Sequence, residues 1–378
     1  MKIIHTSDWH LGRMLYGKSL LRDQRHFLQN IFLPVVEREG PAIVIIAGDI
    51  YDRQVAPTEA IRLFDDTLSV LLKMKIPTAF ISGNHDSPDR ITIMKSALRS
   101  AGVYVSTSLA DAFQPVELHQ GDERIQLFLL PYLDNAAVRD YFQDETPKGE
   151  QACMRRVLEE LKPLMREDCA KILAAHCFVA GSEHSDSEST IFAGGSAEIP
   201  ASLFEDFDYV ALGHLHGPQR AGGNGRYPGS PLKYSVDEQH QKKSFVMLDV
   251  RQGSVRSQLV PINPLRDVRR ITGLFEQILT DGQAQKCEDY VELVLEDQNP
   301  VMLAAEKLRP CYPNLLSVRN NWAAASVALT ERRRLKNETE QVIFQSFMKD
   351  ICDVDSDEGV RLLFEEVLRE AVREEDAK

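Results

Sequence analysis

Eight side chains in this sequence sit where a run of strand-forming residues gives way to a turn: Asp8, His10, Asp49, Asn84, His85, His176, His214 and His216. Together they offer carboxylate oxygens, imidazole nitrogens and one amide oxygen, a donor set that suits manganese, iron, zinc or a similar divalent ion. No cysteine takes part, which argues against a structural zinc site. Seven or eight donors exceed the needs of one four-coordinate ion and suit two ions sharing a carboxylate. Such a pair activates water on one side and stabilises a leaving oxygen on the other, so the natural reaction is hydrolysis of a phosphate ester. Each piece alone is weak. A lone histidine after a strand is usually a hydrogen-bonded core or surface group, and a DxH triplet arises by chance. Several such pieces in one chain, each closing a strand-like run, outweigh that reading. His5, His26, His119, His184 and His240 lack the context and are expected to be structural or surface residues.

The elements that must position these groups follow from periodicity. Residues 2–6 read as a buried strand ending in Asp8-Trp9-His10, whose Asp and His project to one side. The unbroken apolar run 41–47 reads as a strand covered on both faces and ends in Gly48-Asp49. The strand 78–81 ends in Gly83-Asn84-His85-Asp86. Helical spacing over 22–38 and 57–74 separates the three, which predicts a layered α/β arrangement. Strands then dominate: 103–105, 116–118, 125–130, 171–175 ending in His176, and 207–212 ending in Gly213-His214-Leu215-His216. A helix is expected at 151–166, a Ser- and Gly-rich mobile loop at 181–195, and a closing hairpin at 245–250 and 255–261. Two prolines between 261 and 267 mark a boundary. The expected domains are 1–265, a small α+β module at 266–330 without ligand-type clusters, and a helical tail at 331–378.

Size and composition agree. At 378 residues the chain is expected to hold two or three domains. No apolar run is long enough to span a bilayer, and a strand starting at Lys2 leaves no room for a signal peptide. Six scattered cysteines without a CxxC pair read as reduced thiols of a cytoplasmic protein. The net charge of -13 argues against binding nucleic acid through bulk charge. It does not exclude a DNA enzyme, because clustered carboxylates keep a site acidic until metals arrive. Arg13, Lys18, Arg22 and Arg90, near the motifs, are candidates for phosphate contacts. The tail carries nine Lys/Arg against fourteen Asp/Glu, and two amphipathic stretches that bury little unless they pack on something.

The ordered set Asp8-x-His10, Gly48-Asp49-x-x-Asp52, Gly83-Asn84-His85-Asp86, His176 and Gly213-His214-x-His216 resembles the calcineurin-like metallophosphoesterase superfamily. Thr6-Ser7-Asp8-Trp9-His10-Leu11-Gly12, the stretch 208–216 and Tyr227-Pro228-Gly229-Ser230-Pro231-Leu232 resemble its DNA nuclease branch. The resemblance implies a four-layer α-β-β-α sandwich with a small α+β capping domain and a C-terminal helical tail. It implies two divalent ions, typically manganese. Asp8, His10, Asp49 and His216 would hold one, and Asp49, Asn84, His176 and His214 the other, with Asp49 bridging. His85 would contact the scissile phosphate as general acid or charge stabiliser, and Asp86 is expected to orient it. The implied activity is ATP-linked double-strand exonuclease and single-strand endonuclease action on DNA ends and hairpins. The implied partner is an SbcC-type, SMC-like ATPase on whose coiled-coil base the tail docks, in a heterotetramer built around a homodimer, cytoplasmic and nucleoid-associated. Asp52 fits the GDxxD pattern without an assigned role. A phosphoprotein phosphatase would carry Asp-Arg-Gly after the second motif and Glu at the fourth position of the third. Here Asp52-Arg53-Gln54 and Asp86 stand instead.

Overall fold

A computed structural model describes residues 1–92, 94–188 and 198–320, with Phe344, Gly359, Val360, Leu363, Phe364 and Val367. The expected tail helices otherwise lie outside the described residues, as does the 189–195 part of the expected loop. The chain divides into two units, Met1–Arg269 and Arg270–Lys378.

The first unit is built on two six-stranded sheets. One runs Ser254–Pro261, Ser244–Arg251, Lys2–Thr6, Ile43–Ala47, Thr78–Ile81, Val103–Ser106. The last four strands are parallel, with Thr6 level with Ile46 and Ala47 with Ile81. Ser244–Arg251 is antiparallel to Lys2–Thr6. The other sheet runs Gln219–Ala221, Gly225–Tyr227, Tyr209–Gly213, Ala170–His176, Glu123–Leu130, Val116–Gln120. Its four central strands are parallel, and His176 is level with Gly213.

Alternation along each strand makes the layers. In the first sheet Ile4, Val44, Ile46 and Phe80 pack outward against Phe27, Phe32, Leu63 and Phe64 of the covering helices. Ile3, Ile43, Ile45, Ala79 and Ile81 turn the other way and meet Leu127, Ile172, Ala174 and Ala211 of the second sheet. Phe128, Leu173, Val210 and Leu212 face outward again, against Met154, Val157, Leu158 and Leu161 of the helix Glu150–Leu161. Helix, sheet, sheet, helix is the expected sandwich, and strands buried on both faces explain the unbroken apolar runs.

Local details depart from the periodicity. The helix expected at 22–38 is three pieces: Leu21–His26, a π-helical stretch Phe27–Phe32, and Leu33–Glu39. The wider turn brings Phe27, Leu28 and Phe32 into the core together, which a 3.6-residue period does not anticipate. The helix Asn135–Phe142 and the edge pair Gln219–Ala221 and Gly225–Tyr227 were not expected; the helix starts on Asp134, whose carboxylate accepts Ala136 N–H at 2.6 Å and Ala137 N–H at 3.2 Å. No helix among the described residues is long and apolar enough to cross a membrane.

The second unit holds a three-stranded sheet, Val268–Gly273, Tyr290–Leu295, Leu315–Asn320, with the helices Phe275–Ala284 and Ala304–Leu308. Phe275, Ile278, Val291, Leu293, Leu308 and Tyr312 form its core. Buried Glu292 is paired with Arg270 at 2.6 Å and Arg319 at 2.9 Å, one from each flanking strand. Phe344 and Phe364 stack with ring centroids 4.0 Å apart.

Candidate metal centre

Parallel strands end on one edge, and that edge is where both sheets deliver their chemistry. Lys2–Thr6, Ile43–Ala47 and Thr78–Ile81 lead to Asp8 and His10, Asp49, and Asn84 and His85; Ala170–His176 and Tyr209–Gly213 lead to His176, His214 and His216. The loops are tied to one another. Asp8 N–H donates to Gly48 O at 3.1 Å and His10 N–H to Asp49 O at 2.9 Å. The buried Gln24 amide clamps the first loop, accepting Gly12 N–H and donating to the carbonyls of Trp9 and His10. Trp9 plugs the space beneath, its ring edge-on to Phe27, Phe32 and Phe64.

Two glycines are explained by close approach. A Cβ on Gly213 would stand 1.8 Å from the Ala47 carbonyl oxygen across the sheets, and one on Gly83 would stand 2.1 Å from Asp49 Oδ1. The ligand-type residues themselves are forced into unusual backbone. Asp8, His10, Asp49 and His214 have φ of 52°, 42°, 50° and 107°. Each such residue costs on the order of 1–3 kcal/mol and persists only where its surroundings impose it.

The side chains converge. His10 Nε2 lies 3.1 Å from His216 Nε2 and 3.5 Å from Asp49 Oδ2. His176 Nε2 lies 3.4 Å from Asp49 Oδ2 and 3.0 Å from Asn84 Oδ1, which is also 3.2 Å from His214 Nδ1. Asp8, His10 and His216, and again Asp8, Asp49 and His176, bring ligand atoms within 4.8 Å of one another. Asp8, His10, Asp49, His176, His214 and His216 are all buried, while Asn84 and His85 are half-buried.

The electrostatics show what the cluster needs. His176 Nδ1 donates to Ala47 O at 2.8 Å, which leaves Nε2 to face the oxygens of Asp49 and Asn84. Burial pushes His176 down, but the charges of Asp49 and Asp8 outweigh it and lift it to about 9. Its proton at Nε2 stands among oxygens where a cation would. Burial pushes Asp49 up, but the imidazoles of His176, His10 and His85 hold its carboxyl well below the usual range. Burial raises Asp8 to about 6 against His176 and His216. Burial drives His10 well down, and burial with the nearby His176 takes His214 to about 3, so both stay neutral with lone pairs to give. The neutral imidazoles of His10 and His214, the carboxylates and the amide oxygen fit divalent ions, and an ion would displace the proton that His176 holds.

His85 has a different setting. Its N–H donates to Asp49 Oδ1 at 2.9 Å, and its Nδ1 to the Asp52 carbonyl at 2.9 Å. Its ring stands edge-on to His10 with centroids 4.8 Å apart. The expectation that Asp86 orients His85 is corrected. Asp86 accepts the backbone N–H groups of Ile50, Tyr51 and Gly83 at 3.1, 2.9 and 2.9 Å, so it fastens the second loop to the third. Burial and the Asp49 charge raise its carboxyl to about 6. His85 is oriented by Asp52 instead. The Asp52 carboxylate binds Arg13 at 2.8 Å and lies 3.7 Å from His10 Nδ1, which engages Arg13 next to the cluster.

Behind His216 is a polar network that the motifs did not announce. Ser187 Oγ is 2.5 Å from His216 Nδ1 and donates to Glu238 Oε1 at 2.6 Å. Glu188 accepts the His216 backbone N–H, and Lys243 Nζ donates to the His216 carbonyl at 2.8 Å and to Glu238 Oε2 at 2.5 Å. Burial alone would push His216 down; Glu238 and Glu188 raise it above its ordinary value. Glu188, Glu238 and Lys243 lie outside the strand-end motifs, and their burial distinguishes them.

Residues 1–218 match the family model described as calcineurin-like phosphoesterase, and residues 264–351 match one described as Type 5 capsule protein repressor C-terminal domain. The chain is 33% identical over 357 residues to SbcD, the D component of the nuclease SbcCD, of Staphylococcus epidermidis (strain ATCC 12228 / FDA PCI 1200), covering 93% of this chain and 94% of that one. Among solved structures, a beta-glucosidase from Exiguobacterium marinum aligns with 84% of this chain and 88% of its own at 8% identity, but its TM-score of 0.23 is too low to bear on the fold. The chain belongs to the calcineurin-like phosphoesterases, in the branch of the SbcD nucleases.

Proposed function

We propose that this chain is a DNA phosphodiesterase acting on ends and hairpins as the nuclease subunit of an SbcCD-type complex, with exonuclease action on double strands and endonuclease action on single strands. The observation that carries this reading is the convergence of seven ligand-type side chains from two sheets, with His85 beside them, its backbone N–H on Asp49 and its Nδ1 on the Asp52 carbonyl. Asp8, His10, Asp49 and His216 would hold one divalent ion and Asp49, Asn84, His176 and His214 the other, manganese in both places. When bound, such a pair supplies an activated water and stabilises charge on the phosphoryl oxygens. Asp49 would serve both ions, and its contact from the His85 N–H ties the phosphate-facing histidine to the centre. His85, its Nδ1–H fixed on the Asp52 carbonyl, turns its other nitrogen to the leaving oxygen and, as the imidazolium, gives that oxygen its Nε2 proton or stabilises its charge.

The small module following the sandwich acts in this reading as a cap that tracks DNA, with the domain limits 1–265, 266–330 and 331–378. The tail docks on the coiled-coil base of an SbcC-type ATPase, which links cleavage to ATP in a heterotetramer built on a nuclease homodimer. The test is direct. With manganese the purified chain, with and without the ATPase, is assayed on linear duplex, hairpin and single-stranded DNA and on small phosphomonoesters. Degradation of linear duplex that responds to ATP only with the partner is expected. Hydrolysis of the monoesters alone would sink the nuclease reading.

A further inference from the structure

His216 is gripped at three points. Its backbone N–H goes to the Glu188 carboxylate, its carbonyl takes a bond from the Lys243 ammonium, and its Nδ1 meets Ser187 Oγ. The gripping residues come from two remote stretches, 185–188 and 230–243, and they brace each other. Ser185 Oγ donates to Glu188 at 2.9 Å, and Ser230 Oγ lies 3.0 Å from Lys243 Nζ. Glu188, Glu238 and Lys243 are 2%, 0% and 5% exposed. A buried ionic set of this kind does little for net stability compared with apolar packing, so its presence asks for another reason.

Hydrogen-bond direction supplies one. The Glu238 carboxylate, paired with Lys243, accepts and cannot donate. Ser187 has a single hydroxyl proton, and Glu238 Oε1 takes it at 2.6 Å. The Ser187 oxygen can then only accept from His216. That places the imidazole proton on Nδ1 and the lone pair on Nε2, the nitrogen facing His10 and Asp8. Ligating histidines are ordinarily fixed in this way through the nitrogen turned away from the ion.

We propose that Ser187 and Glu238 are positioning residues for the ion at His216, that Glu188 and Lys243 lock its backbone, and that residues 185–188 therefore belong to the metal centre. This rests on the two-ion reading above. The Ser- and Gly-rich composition that predicts a mobile loop conceals a part that is built into the site.

The test titrates manganese into the metal-stripped full-length chain by calorimetry. Ser187→Ala removes one hydroxyl and leaves the Glu238–Lys243 pair in place, so the metal-free melting temperature should stay near wild type. One of the two binding events should weaken by about 10–100-fold, while the event at Asn84, His176 and His214 keeps its affinity. Glu238→Gln should weaken the same event; a folded metal-free melt separates that from collapse of the network. Ser187→Ala binding both ions with wild-type affinity would overturn the positioning role alone. A wild-type chain that takes up no manganese would overturn the two-ion reading and this inference with it.

Discussion

His5 lies beneath the seam between the sheets, and acid should open that seam. It is fully buried, with Nδ1 3.1 Å from the Tyr209 hydroxyl and Nε2 3.1 Å from the Leu212 carbonyl. It thereby ties the strand that leads to Asp8 and His10 to the strand that leads to His214 and His216. Burial holds its pKa down at about 3, against 6.5 in an unfolded chain. Above pH 6.5 both states are neutral and His5 adds no pH dependence. Below it the unfolded chain takes a proton that the folded chain refuses, so stability falls as pH falls, until about pH 3. The slope for one proton is about 1.4 kcal/mol per pH unit, which gives about 2 kcal/mol between pH 7 and 5. His5→Gln removes the titration. At pH 7 it should cost about 1–3 kcal/mol through disturbed hydrogen bonds. Urea unfolding of the metal-free chain at pH 7, 6 and 5 reads both effects. The stability gap between wild type and variant should shrink by about 2 kcal/mol on going to pH 5. A gap that stays constant across that range would refute the argument, since all other titrating groups are common to the two proteins.

Three more outcomes are expected. Gly213→Ala forces a methyl against the Ala47 carbonyl and should cost at least about 3 kcal/mol in urea unfolding, with manganese uptake impaired; wild-type stability would mean the strand ends have slack. His85→Ala should abolish DNA cleavage while calorimetry still finds both ions, and loss of metal affinity would make His85 a ligand. Manganese at 100 times the dissociation constant of each site should stabilise the stripped chain by about 2.7 kcal/mol per ion, a rise in Tm of roughly 5–11 °C for each in a domain of this size, reversed by chelator. No shift in Tm would count against a preformed site.

The sandwich and the convergence of the strand-end residues were legible because both rest on local pattern. Apolar runs such as 43–47 read directly as doubly covered strands, and each ligand-type residue follows one. What was not legible depends on contacts between remote positions. Asp86 looked like a partner for its neighbour His85, yet its oxygens reach back to the backbone of Ile50 and Tyr51. Asp52 orients His85 through its carbonyl, an atom every residue has, so its side chain gave no clue. Gln24 sits in a helix and reads as a surface glutamine until it is seen holding the loop of Trp9 and His10. Glu238 and Lys243 are common residue types, and only three-dimensional burial sets them apart.

The strand order carries a consequence for biosynthesis. Lys2–Thr6 emerges from the ribosome first, but one of its two neighbours in the sheet is Ser244–Arg251, nearly the last strand of the sandwich to be made. At about 5–20 residues per second some 12–50 s of translation separate the two. The ligand groups are split the same way, with Asp8 and His10 at the start and His214 and His216 more than 200 residues later. A nascent chain therefore has no complete hydrolytic centre until the sandwich closes. For the DNA nuclease proposed above, this late assembly of the ligand set withholds cleavage from unfinished polypeptides.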